Sequence, residues 1–199
     1  MLIFWKERLV FLANTKAGST SVGAALESLA QVSVQRPPEL KHTGAAAYHR
    51  FVAPFLENAA GARFATVALM REPIGWTGSW YRDRQREEVA PPQSTAGLSF
   101  GDFVAASLSD APPACTRIGR QADFFTGPDG SAPPIDHVFR YEDIGRFLHF
   151  LEERLGCEIV LPRLNVSPQG SVALDDPLRD RLRRHLAAEY RLYDSLDGG

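Results

Sequence analysis

Five consecutive apolar residues, Leu9-Val10-Phe11-Leu12-Ala13, run into the polar turn Asn14-Thr15-Lys16-Ala17-Gly18-Ser19-Thr20-Ser21. An alanine- and leucine-rich segment follows, to Ala30. A short apolar run without polar alternation reads as a strand buried on both faces, central in a parallel sheet. The segment after the turn reads as a helix that starts near Ser19 or Thr20 and turns Val22, Ala25, Leu26 and Leu29 inward. The first N–H groups of such a helix lack intrahelical partners and carry partial positive charge. Gly18 lets the main chain approach an oxyanion. Lys16 adds a compact ammonium, and Ser19, Thr20 and Ser21 add hydroxyl donors. The stretch therefore reads as a phosphate-binding loop.

The rest of the chain repeats the alternation of strand and helix. Gln31 to Gln35 alternates weakly and is a candidate strand ended by Arg36-Pro37-Pro38. A helical stretch runs from about Ala45 to Asn58. Phe64 to Met70 is a strong strand that leads straight into Arg71-Glu72-Pro73, with proline at the start of a helix reaching about Arg86. Ser99-Phe100-Gly101-Asp102 resembles a capping box before a helix from Phe103 to Leu108. Cys115 to Phe125 reads as helical, Gly127 to Pro134 as a turn cluster, and His137-Val138-Phe139-Arg140 as a third strand. An amphipathic helix from Asp143 to Leu155 stops at Gly156. Leu161 to Gly170 has no periodicity, and a last helix opens with Asp176 as cap and Pro177 and reaches about Leu196. This order predicts a three-layer α/β/α fold with a mostly parallel central sheet, as one domain over residues 1–199. Residues 84–136 are the stretch available for a lid or acceptor insertion. In such sheets ligands bind beyond the carboxyl ends of the strands, where the Lys16 loop, Arg71 and Tyr141-Glu142 would converge.

Composition narrows the function classes. A formal net charge of −2 over 199 residues leaves no global basic field for nucleic acid or an anionic membrane. The arginines of the last helix, Arg179, Arg181, Arg183 and Arg184, are balanced by Asp175, Asp176, Asp180 and Glu189. Cys115 and Cys157 match no metal spacing and fit a reduced compartment. The start MLIFWKERLVFL is too short and too charged to span a membrane, so a cytoplasmic protein is expected. Lysine occurs only at Lys6, Lys16 and Lys41, which makes the one in the loop conspicuous. Arg82, Arg84 and Arg86 read mostly as a solvated helix face, and Trp76, Trp80 and Tyr81 as packing.

The loop is not an ATP-type P-loop, which needs glycine directly before the lysine. The chain contains no Gly-Lys pair. The order Lys16-Ala17-Gly18-Ser19-Thr20 after a strand resembles instead the motif that holds the 5′-phosphosulfate in sulfotransferases using 3′-phosphoadenosine-5′-phosphosulfate (PAPS). Thr15 stands where that family usually has proline. Arg71-Glu72-Pro73, followed by Ser79-Trp80-Tyr81 on the next helix, looks like the family's 3′-phosphate motif. Arg71 offers a planar fork of donors, and Ser79 reaches the same oxyanion only if the arginine folds back over the helix. Tyr141-Glu142-Asp143-Ile144 resembles the segment whose aromatic borders the adenine. Leu161 to Ser167 is similar to a C-terminal segment of many members, and Lys41-His42-Thr43 resembles the bacterial branch.

The resemblance implies a P-loop NTPase-like sulfotransferase fold. It also implies transfer of a sulfuryl group from PAPS to an acceptor hydroxyl or amine, with no metal required. It places the co-substrate on Lys16, Ala17, Gly18, Ser19, Thr20, Ser21, Arg71, Ser79 and Tyr141, with Lys16 at the leaving phosphate. His42 occupies the position of the family's base and has an ordinary pKa suited to it, with Glu39 and Glu72 as rivals. The acceptor would be a small molecule or a carbohydrate. The other readings are a P-loop nucleotide kinase or NTPase, and a non-catalytic nucleotide-binding module of the same fold.

Overall fold

The computed structural model describes residues 1–127, 130, 131, 134–162 and 172–198, with backbone alone for 197 and 198. Most of the 127–134 turn cluster's centre, and the expected C-terminal segment from residue 163 onward, lie outside the described residues.

The strands are β1 (Leu2–Phe4), β2 (Leu9–Leu12), β3 (Val32–Ser33), β4 (Ala65–Met70) and β5 (His137–Arg140), in the sheet order β3-β1-β2-β4-β5. β2 is central as expected, and β2, β4 and β5 run parallel, with Val10 opposite Thr66 and Ala68 opposite Val138. β1 is antiparallel to both β2 and β3 and is the one strand that runs against the others, so the other four point the same way and the sheet is mostly parallel. The cause lies in the first eight residues. Lys6-Glu7-Arg8, which interrupt an apolar run in the sequence, form the turn of a hairpin, with Arg8 at φ 52°. Leu2–Phe4 is thereby a strand, too short to be marked in the sequence.

The helices are α1 (Ser19–Leu26), α2 (Pro38–Lys41), α3 (Ala45–Ala47), α4 (Ala53–Ala60), α5 (Pro73–Asp83), α6 (Phe100–Ser107), α7 (Gln121–Thr126), α8 (Ile144–Leu155), α9 (Asp176–His185) and α10 (Ala187–Asp194). A π-helical turn, Tyr48–Val52, joins α3 to α4. Alternate residues of each strand feed two cores, as a period of two requires. Leu9, Phe11, Val67 and Leu69 meet Val22 and Leu26 of α1 and Phe147 and Leu151 of α8. Val10, Leu12, Ala68 and Met70 meet Tyr48, Leu56 of α4, Phe125 of α7 and Tyr193 of α10. Helices thus cover both faces of the sheet. A third cluster, off the sheet, joins Tyr81 of α5, Phe100 and Phe103 of α6, Leu182 of α9 and Tyr190 of α10.

Local signals explain most helix ends. Ser99 and Asp102 exchange the two bonds of a capping box at 3.1 and 3.2 Å. α1 stops at Leu26, which leaves Leu29 outside the helix and exposed rather than inward. The helix expected over Cys115 to Phe125 is instead a 3-10 turn, Ala114–Thr116, then α7. Gly119 at φ 71° lies between them, outside the helical region. The last helix is capped by Asp175, which accepts from Leu178 N at 2.8 Å, and breaks at Leu186 into α9 and α10.

Candidate functional site

The parallel centre of the sheet sets three connections side by side: 13–18 after β2, Arg71-Glu72 after β4, and Tyr141–Asp143, a 3-10 turn, after β5. The first is held from several sides. Buried Asn14 donates through Nδ2 to the Leu69 carbonyl at 3.0 Å and to Gln121 Oε1 at 3.1 Å. The Trp76 indole N–H donates to the Thr15 carbonyl at 2.9 Å. Lys16 sits in the left-handed region at φ 59°, which costs a side-chain-bearing residue about 1–2 kcal/mol. Gly18, at φ 76°, caps α1 and packs against Tyr141; a Cβ there would lie 2.9 Å from Tyr141 Cε2.

The start of α1 is open. No side chain caps it and its first turn holds no acid. Ser19 is buried and Thr20 and Ser21 half-buried, and their hydroxyls make no hydrogen bond among the described residues. Backbone N–H groups, hydroxyls and a left-handed glycine in sequence supply the kind of donors an oxyanion site uses.

Lys16 and Arg71 lie beside this helix start. Lys16 Nζ pairs with Asp83 Oδ1 at 2.7 Å and lies 5.2 Å from the centre of the Trp80 ring. Burial is the largest influence on its pKa and lowers it from 10.5, against the opposing pull of Asp83; Arg86 and Arg71 lower it further. Arg71 Nη1 donates to the Lys16 carbonyl at 3.1 Å, and the guanidinium stacks 4.8 Å over the Tyr141 ring. Its Nε–H is buried and has no partner among the described residues. A Cβ placed on Gly75 would lie 3.6 Å from that Nε, so the arginine does fold back over the first turn of α5. Ser79, one turn further along, is only 3% exposed, and its hydroxyl has no bond among the described residues. Thr77, not Ser79, bonds back to its own helix, at the Pro73 carbonyl (2.9 Å).

His42 stands at the other side of the loop. Its Nδ1 is 2.6 Å from the Ala13 carbonyl. A carbonyl only accepts, so Nδ1 carries the proton and Nε2 holds the free lone pair. Burial, the largest cause, lowers its pKa from 6.5; the Ala13 bond opposes this, and Lys41 and Lys16 add to the lowering. The rival carboxylates are placed otherwise. Glu39 is exposed on α2, while Glu72 caps α5, accepting from Gly75 N at 2.6 Å and from the Tyr190 hydroxyl.

The sequence-chosen residues Lys16, Ala17, Gly18, Ser19, Arg71 and Tyr141 thus form one contiguous group, with His42 and Ser79 at its two sides. Gln121 was not foreseen. Its Oε1 accepts from Asn14 and from Arg71 N (3.0 Å), and its Nε2 donates to the Arg71 carbonyl (2.8 Å), so one amide fixes the ends of β2 and β4. It lies within residues 84–136, so part of that stretch is the floor of the site rather than a cover. Glu142 was read only as a neighbour of Tyr141; it accepts from Glu72 N at 3.0 Å and from Tyr193 at 2.9 Å, tying the third connection to the second. Arg84 is an anchor rather than a solvated side chain, donating to the carbonyls of Ala114, Cys115 and Arg117 at 2.7–3.0 Å. A cavity of about 440 Å³ along β5 shares only Glu142 with this group.

Among the described residues no cluster of three or more His, Cys, Asp or Glu is arranged to hold a metal ion, and no helix is long and apolar enough to cross a membrane. Comparisons with protein-family models, with curated proteins and with solved structures each return no match.

Proposed function

We propose that this chain is a sulfotransferase of the P-loop-like fold, moving a sulfuryl group from PAPS to an acceptor hydroxyl or amine. The observation that carries the reading is the course of Arg71. Its side chain leaves the end of β4, contacts the Lys16 loop and lies over Gly75, on the face of α5 that also carries Ser79. That makes two adjoining anion stations, one at the open start of α1 and one on α5. A ligand with a 5′-phosphosulfate and a 3′-phosphate has an anion for each. ATP carries its phosphates in one chain.

In this reading Lys16 gives up Asp83 for the bridging and 5′-phosphate oxygens, and its charge stabilises the phosphate that leaves as the S–O bond to it breaks. The acceptor oxygen or nitrogen forms the new bond to sulfur while its proton passes to Nε2 of His42. The lowered pKa keeps that imidazole neutral and ready to accept at pH 7. The N–H groups at the start of α1 and the hydroxyls of Ser19 and Thr20 hold the sulfonate oxygens. The acceptor, a small molecule or a carbohydrate, would be covered by that part of residues 84–136 which does not form the floor of the site. The unpaired Cys115 and Cys157 agree with a cytoplasmic setting.

Thermal-shift measurements test the reading. 3′-Phosphoadenosine-5′-phosphate (PAP) is expected to raise Tm while magnesium-ATP does not, and Arg71→Ala is expected to abolish the PAP effect. Stabilisation by magnesium-ATP alone would replace this proposal with a phosphoryl-transfer reading. An unchanged PAP effect in Arg71→Ala would remove α5 from the site.

A further inference from the structure

Gly75, Gly78, Ser79 and Arg82 stand at positions i, i+3, i+4 and i+7 of α5 and therefore share one helix face. Arg71 lies over this face at its start. Arg82 folds onto it from the far end: a Cβ placed on Gly78 would lie 3.7 Å from Arg82 Nη1. Ser79, 3% exposed and with a hydroxyl that makes no hydrogen bond among the described residues, lies between Arg71 and Arg82 along the helix. Val172 closes over Gly78, 2.9 Å from the same Cβ position.

The charge on this face is not balanced. Arg86, just past the end of α5, pairs with Asp83 at 3.5 Å, and Arg84 is spent on three carbonyls. The Arg82 guanidinium makes neither an ion pair nor a hydrogen bond among the described residues. The nine residues 163–171, outside the described set, contain no acid in the sequence. Burial chiefly, and then the charge of Arg71, lower the pKa of Arg82. Two half-buried guanidinium groups and the Ser79 hydroxyl share one face, and the carboxylate beside them, Glu72, is held by Gly75 N and the Tyr190 hydroxyl, so the face presents a donor set suited to an anion.

We infer that Arg82 is a second arginine of the α5 station, clamping with Arg71 a phosphomonoester dianion that also accepts from Ser79. Arg82 thereby selects nucleotides that carry a phosphate beyond the 5′ position. This inference rests on the assignment of α5 to the 3′-phosphate, made above. It adds a residue that the motif reading had assigned to solvent.

Isothermal titration calorimetry on the full chain with PAP and with adenosine 5′-monophosphate separates the two claims. The wild-type protein is expected to prefer PAP. Arg82→Ala should lose about 10- to 100-fold in PAP affinity, the range of one charge-assisted hydrogen-bonded contact, with monophosphate affinity unchanged. Arg82→Lys should recover part of the loss. The preference for PAP should grow as pH rises through the phosphomonoester's second ionisation near about 6, and grow less in Arg82→Ala. A wild-type preference that Arg82→Ala keeps would overturn this inference and leave the α5 station standing. Equal wild-type affinities for the two nucleotides would overturn both. Should the variants not fold, phenylglyoxal modification of the wild-type chain, read by mass spectrometry, decides the matter. PAP, but not the monophosphate, should protect Arg82, and equal labelling with either would refute its role.

Discussion

His42 shows how its surroundings can set the tautomer and charge of a single side chain. The Ala13 carbonyl fixes the tautomer, and burial with two nearby lysines holds the ring neutral. The sign of the stability effect follows. The folded pKa lies below the unfolded 6.5, so between those two values the unfolded chain binds more protons. Stability is therefore expected to fall as pH drops below 6.5 and to keep falling until the folded value is passed. His42→Gln should remove this part of the slope in urea-unfolding series across pH; parallel slopes for both proteins would show that His42 does not titrate differently on folding. Residues of this kind were legible in the sequence to differing degrees. Lys16 and Arg71 stood at strand ends next to helix starts, which is a positional signal. Gln121 carried none, because a glutamine in a polar stretch looks the same whether it faces water or braces two strand ends.

At the scale of elements, the loop between β2 and α1 is constrained by what packs on it as much as by its own residues. Gly18 combines a left-handed backbone with the Tyr141 ring at van der Waals distance. Gly18→Ala is expected to destabilise the protein by about 1–3 kcal/mol, through backbone strain together with the collision with Tyr141. Adding Tyr141→Ala should return only the collision part, and a denaturation double-mutant cycle measures the split. A neutral Gly18→Ala would mean that the loop repacks freely. Elements with a strong local signal were readable: the apolar runs of β2 and β4, the Ser99 capping box, and the amphipathic α8 closed by Gly156. Elements defined by their partners were not. β1 is too short to identify until it is seen pairing with β2 and β3. The break at Leu186 follows from packing, since Leu182, Leu186 and Tyr190 all enter the third cluster and no local breaker marks the position.

For the whole molecule, the C-terminal pair of helices acts as a brace across the strand ends. Tyr190 bonds to Glu72, Tyr193 to Glu142, and Glu189 to Arg120, the residue before Gln121. The last pair is asymmetric: the Glu189 side chain is 1% exposed and that of Arg120 53%. Arg120→Ala strands a buried carboxylate and should cost about 3 kcal/mol. Glu189→Gln leaves the guanidinium in water and should cost about 1 kcal/mol or less. Urea-denaturation midpoints in the opposite order would show that the pair is not what holds α7 to α10. The layered α/β plan was legible from the alternation of strands and helices. The brace was not, because its contacts join residues some 50 to 120 positions apart. The brace also bears on biosynthesis. A ribosome delivers the Lys16 loop, Arg71 and Gln121 well before Tyr190 and Tyr193. The acids that cap α5 and join the second and third connections thus wait for partners from the final stretch of synthesis. A nascent chain interrupted before residue 187 would hold Lys16, Gly18, Arg71 and Gln121 and still lack the ties that align their connections, so this arrangement of strand ends is completed near the end of translation.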